Sequence, residues 1–189
     1  MATPTRQQII EVALDILGEK AGSNITTREI AEKAGVNIAS INYHFGTKDK
    51  LLDEAMAFLL ERVYALIRVL GRREDPPDER LRYFCREFLL ISGRYPGIIK
   101  NIVGALIFEE KTSPRIMALI PPLFNTLSDA IGTKHPDITH SKRVYRSGNL
   151  LMSLIFPQVF SHYYRQMVTG SLGEEFTIDE YLELILEQV

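Results

Sequence analysis

Ala39, Ser40, Asn42, Tyr43 and His44 crowd into six positions of the stretch NIASINYHF. They are small or polar where a helix packed on every side would be apolar. These types can reach nucleic acid. Asn42 suits adenine in the major groove, Arg28 suits guanine, and Ile38 or Ala39 suits the thymine methyl. Thr27, Tyr43, His44 and Lys48 suit phosphate oxygens, with Asn37 and Ser40 completing the contact set. Nothing comparable exists for catalysis. The chain has no G-x-S-x-G elbow, no glycine-rich phosphate loop, no H-E-x-x-H and no C-x-x-C. His135, Asp137 and His140 are near one another, but in a polar, proline-containing loop without cysteine, so they read as solvated residues rather than metal ligands. His162, Tyr163 and Tyr164 fit either a polar pocket or an interface cluster. Cys85, on an apolar face, reads as a small buried hydrophobe. The expectation is recognition, with no cofactor and no enzyme.

The elements that must position these side chains lie between Thr26 and Lys50. Thr26 followed by Glu29 predicts a capping box opening a helix, with Ile30, Ala31 and Ala34 on its apolar side. Gly35 stands where that helix needs positive φ to stop, and Val36 tucks under the turn. Asn37 caps a second helix whose Ile41 and Phe45, four apart, face inward. Helix, Ala-Gly-Val turn, helix is the helix-turn-helix pattern, whose second helix enters the DNA major groove. Ahead of it, Ile9, Ala13, Ile16 and Leu17 share one face of a helix predicted to start at Thr3-Pro4 and end at Gly22.

The run TTREIAEKAGVNIASINYHFGTKDKLL, preceded by a helix and followed by a long one, resembles the TetR family of bacterial transcriptional regulators. The resemblance is specific over about the first 55 residues and architectural beyond. It implies an all-helical homodimer with a DNA-binding head and a ligand-binding body, usually a repressor. It also implies a four-helix bundle between subunits, built from the last two helices of each. This chain departs from the family pattern at Asn42, where a tyrosine is usual, and at Ile38, a commonly polar position. Base preference therefore does not carry over.

Composition is compatible with a folded regulator. With 46% hydrophobic residues the chain can bury a core, and the single cysteine excludes an intrachain disulfide. No run approaches the ~20 apolar residues that span a bilayer, and the N-terminus lacks the pattern of a signal peptide, so a cytoplasmic location is expected. Residues 1–50 carry Arg6, Lys20, Arg28, Lys33, Lys48 and Lys50 against Glu11, Asp15, Glu19, Glu29, Glu32 and Asp49. A head so balanced predicts modest nonspecific DNA affinity, with specificity reached through a dimer.

From Thr47 to about Leu70 no glycine or proline interrupts an apolar series of Leu51, Leu52, Ala55, Phe58, Leu59, Val63, Leu66 and Leu70. One continuous helix therefore joins the head, residues 1–48, to the body, residues 49–189. In the body Leu81, Phe84, Cys85, Phe88 and Ile91 mark a fifth helix, and Ile98–Glu110 a sixth, apolar over most of its surface and so expected to be buried. A seventh carries Ile116, Leu119, Leu123, Leu127 and Ile131 inward, with Pro121 and Pro122 predicted to kink or split it. Residues from Thr139 to about Val168 form the eighth, apolar nearly all round over Leu150–Phe160. Thr177 and Glu180 box the last, which carries Tyr181, Leu182, Leu184, Ile185 and Leu186. The apolar excess of these two helices predicts a homodimer interface. Tyr64, Phe88, Asn101 and Phe108 are expected to line a cavity for an unidentified small-molecule effector, while double-stranded operator DNA is the expected partner and no membrane is. Control by a protein partner, or a helical enzyme with an incidental helix-turn-helix, are the alternatives.

Overall fold

The computed structural model describes residues 5–20, 25–109, 113–160 and 177–189, and every described element is helical. The expected Thr3-Pro4 start and Gly22 end of the first helix lie outside these residues, as do the eighth helix beyond 160 and the cluster His162, Tyr163 and Tyr164. The head is α1 (Arg6–Lys20), α2 (Thr27–Ala34) and α3 (Ile38–Phe45), leading into α4 (Lys48–Leu70). The body adds α5 (Pro77–Arg94), α6 (Pro96–Gly104) with a π-helical turn over Ala105–Glu109, α7 (Pro114–Lys134), α8 (His140–Val159) and α9 (Ile178–Leu186). No helix among the described residues is long and apolar enough to cross a membrane.

The head folds through its turns and one shared core. The Thr26 hydroxyl accepts from the Glu29 amide at 3.1 Å, while the Glu29 carboxylate pairs with Lys20 at 2.8 Å. The capping box is thus replaced by a single cap plus a tie to α1. Gly35 stands at φ 68°, and the Val36 amide returns to the Ala31 carbonyl at 2.9 Å, closing α2. Beneath these turns Ile9, Ala13 and Ile16 of α1, Ile30 of α2 and Ile41 of α3 are buried. Each such side chain contributes about 1.5–3 kcal/mol by leaving water.

α4 belongs to two cores. Leu51, Ala55 and Leu59 lie in the buried cluster of the head, whereas Leu60, Val63, Leu66, Ile67 and Leu70 lie in that of the body. Around it α5 and α7 pack directly, α8 lies against α5, α6 and α7, and α9 covers α5 and α8. The capping box of Thr177 and Glu180 is complete, and Arg82–Glu183 at 2.7 Å and Arg86–Asp179 at 2.5 Å tie α9 to α5. Buried Arg80 donates to the Leu70 carbonyl at 2.8 Å, placing a cation at the C-terminal end of α4 where the helix dipole favours it. Cys85 is buried, and burial pushes its thiol up to about 12, in keeping with a packing role.

Two expectations for the body are corrected. α7 is not split, running as one helix through Pro121 and Pro122, which lie on its outer, partly solvated side. The sixth helix is not buried along its length. Gly97 and Ile98 are, but the backbone widens into the π turn at Ala105 and leaves Ile107 and Phe108 63% and 83% exposed.

Head and body also meet away from α4. Gly18 of α1 faces Tyr95, just before α6, so closely that a Cβ there would stand 2.9 Å from the Tyr95 Cα. Only glycine permits this approach. Gly18→Ala should destabilise the fold, because overpacking costs about 1–3 kcal/mol and exceeds the ~1 kcal/mol of helix propensity regained. A fall in the urea midpoint checks it.

Candidate nucleic-acid interface and body cavity

α3 is held from within and left open outside. Asn37 Oδ1 accepts from the Ser40 amide at 2.7 Å and the Ser40 hydroxyl at 2.9 Å, so both side chains serve the cap. The Asn37 amide group keeps two donors for an outside partner. Ile41 and Phe45 anchor the helix in the head, with the Arg6 guanidinium 5.0 Å from the Phe45 ring centroid. Opposite them Ile38, Ala39, Asn42 and Tyr43 are exposed, Tyr43 to 86%. His44 is half-buried and stands edge-on to the Tyr43 ring at 5.2 Å. Gly46, at φ 75°, turns the chain into α4, whose first turn Thr47 caps.

Two flanking cations, Arg28 and Lys48, are already engaged. Arg28 donates to Glu32 at 2.9 Å, and this hydrogen bond raises the guanidinium above its ordinary range. To meet a base edge Arg28 must leave Glu32. Exposed pairs of this kind are worth only about 0–1 kcal/mol, so the exchange is easy. Lys48 donates to the Ile25 carbonyl at 3.1 Å, bracing the segment before α2. An ammonium has three donors, so Lys48 can keep that bond and still face a phosphate. Thr27 is half-buried beside Arg28 at the start of α2.

In the body a partly open cavity of about 510 Å³ lies among α4 to α8. Of the four side chains expected to line it, Phe88 does. Tyr64 instead packs against the body core, Asn101 borders a smaller cavity of about 180 Å³ beside α1, and Phe108 points away on the π turn. The wall consists of aliphatic faces such as Leu60, Val63, Ile102, Leu119 and Leu123, which sequence patterning marks only as core. Leu59, Tyr95 and Ile98 belong both to this wall and to the buried cluster of the head. Among the described residues no three His, Cys, Asp or Glu gather as a metal site.

Residues 9–55 match the profile of the bacterial regulatory proteins of the tetR family. Over this head the chain matches the TetR family. Its fold agrees throughout with a TetR-like transcriptional regulator from Rhodococcus sp. RHA1, with TM-score 0.72 and 15% identity over 100% of this chain and 95% of that one. A transcriptional regulator from Aquifex aeolicus matches with TM-score 0.62 and 20% identity over 96% and 95%. Curated relatives named nucleoid occlusion factor SlmA are similar in sequence. The one from Alteromonas mediterranea is 28% identical over 66% of this chain and 63% of its own length, and that from Vibrio atlanticus 31% over 60% of each. The matched stretch thus spans about three-fifths of these relatives.

Within this TetR-family head Lys48 is structural as well as cationic. Lys48→Met should cost about 1–2 kcal/mol by leaving the Ile25 carbonyl without its charged donor. Thermal unfolding of the full chain measures it.

Proposed function

We propose that this protein is a homodimeric, sequence-specific transcriptional regulator that holds double-stranded operator DNA as a repressor and lets go when a small molecule fills the body cavity. The observation that carries the reading is α3 itself, an exposed face of Ile38, Ala39, Asn42 and Tyr43 on a helix anchored by Ile41, Phe45 and the Asn37 cap. Asn42 reads adenine, Arg28 guanine, and Ile38 or Ala39 a thymine methyl. Tyr43, His44, Thr27 and Lys48 fix register on phosphates, with Asn37 and Ser40 at the helix start.

A single head reads too few base pairs, so two must sit about 34–36 Å apart on successive major grooves. The proposed contact is the face of α8 where Met152, Phe156 and Phe160 recur at helical spacing, joined by Ile178 and Leu184 of α9, all exposed in the single subunit. The Phe156 and Phe160 ring centroids are 4.7 Å apart, forming one apolar ridge. Ile185 is a poor probe of this contact because it is buried in the subunit's own core, and Ile155 because it lines the cavity.

A second reading has support in the name of the curated relatives, nucleoid occlusion factor. In it the DNA-bound chain acts through a protein partner at many chromosomal sites. The cavity favours the first reading, since control by a protein alone requires no void. Sites selected from random DNA decide between them, falling beside a few promoters in the first case and scattered along the chromosome in the second.

In that selection Asn42→Ala should relax one operator position at a cost of about 1–3 kcal/mol, and unchanged selectivity would remove Asn42 from the base-reading set. Phe156→Glu with Leu184→Glu, both exposed and outside the cavity wall, should give a folded monomer that has lost operator binding, as read by sedimentation and circular dichroism.

A further inference from the structure

The cavity wall selects its ligand by what it lacks. Among the described residues that form it there is no lysine, arginine, histidine, aspartate or glutamate. Two carry a hydroxyl. The Ser92 hydroxyl is spent within its own helix, donating to the Leu89 carbonyl at 3.2 Å. Tyr95 lies on the head side, its ring against Gly18 and 5.4 Å from the Arg94 guanidinium carbon. The rim is apolar too, because the wall residues that reach the surface are Leu106, Ile107 and Met152.

A volume of about 510 Å³ falls within the ~300–1,000 Å³ typical of small-molecule sites. Such sites normally combine apolar walls with a few polar groups that fix orientation. Among the described residues that polar complement is nearly absent. An ionised ligand would lose its hydration and meet no counter-ion, and a polyhydroxylated one would strand its hydrogen bonds. Both are excluded by the same physics.

We propose that the effector is an uncharged, hydrocarbon-rich molecule with at most one weakly polar group, bound by shape and dispersion alone. This rests on the reading of the chain as a ligand-responsive regulator. Such a molecule presses on Leu59, Tyr95 and Ile98, which the cavity shares with the head core, so its arrival acts on the head through α4 and through the α6–α1 contact together.

The test uses the purified full chain and the neutral fluorophore 1-aminoanthracene, displaced by methyl laurate or by laurate, which share one acyl chain and differ in charge. Saturable binding is expected, with methyl laurate displacing the probe at concentrations about tenfold or more below those of laurate. Ile120→Trp and Val103→Trp, which fill the cavity from α7 and α6, should each abolish probe binding while retaining the helical circular dichroism of the parent. Laurate matching or surpassing its ester would overturn the proposal, as would undiminished binding in both folded variants or no saturable binding at all. Operator DNA selected as above forms a separate arm. Ester preference that operator DNA leaves unaltered keeps the ligand class and overturns the switch. Weaker ester binding in the presence of operator supports both, because linkage is reciprocal.

Discussion

The constraint on which this molecule depends is that α4 has to satisfy two hydrophobic cores with one uninterrupted stripe. Over its 23 residues the helix spans about 35 Å, and the change of core falls between Leu59 and Leu60. Because no glycine or proline interrupts it, a displacement at the body end is not absorbed by a hinge. Val63 and Leu66 in the body core and Leu51 in the head core thus stand on one unbroken helix. The Gly18–Tyr95 contact adds a second bearing, so the head is held on two sides.

Held in this way, the head carries a balanced set of charges. Most of its cations have intramolecular partners: Arg6 with Glu54, Lys33 with Glu19, Lys20 with Glu29, Arg28 with Glu32, and Lys48 with the Ile25 carbonyl. Except for Arg28–Glu32, which lies within α2, these ties link α1, α2 and α4 or the segment before α2 to one another. They also leave Arg6, Lys20, Arg28 and Lys33 in exposed ion pairs, each worth only about 0–1 kcal/mol.

The body applies the opposite logic. Its helices converge without filling the space between them, and the residues around that space serve packing on their far side. Leu59, Tyr95 and Ile98 have one face in the cavity and another in the head core. Occupying the void thus changes the packing of residues on which the head already relies. A site placed at the outer edge of α5 or α9 would have no such reach.

Much of the head was legible in the sequence because its signals are local. A threonine cap, a glycine at positive φ, an asparagine cap and the four-residue spacing of Ile41 and Phe45 act within one or two turns, and each specifies its geometry from neighbours in the chain. The apolar stripes of α1, α4, α5 and α7 were legible for the same reason, since periodicity names the inward face whatever that face meets. Tertiary structure decided the remainder. Whether Glu29 closes its own cap or reaches Lys20, and whether Lys48 stands free or holds Ile25, depends on how far apart two helices settle. The cavity is the clearest case. Leu60, Val63, Leu119 and Leu123 carry the same inward pattern whether their helices touch or stand apart. A void is a property of the distances between helices, and no periodicity within one helix records it.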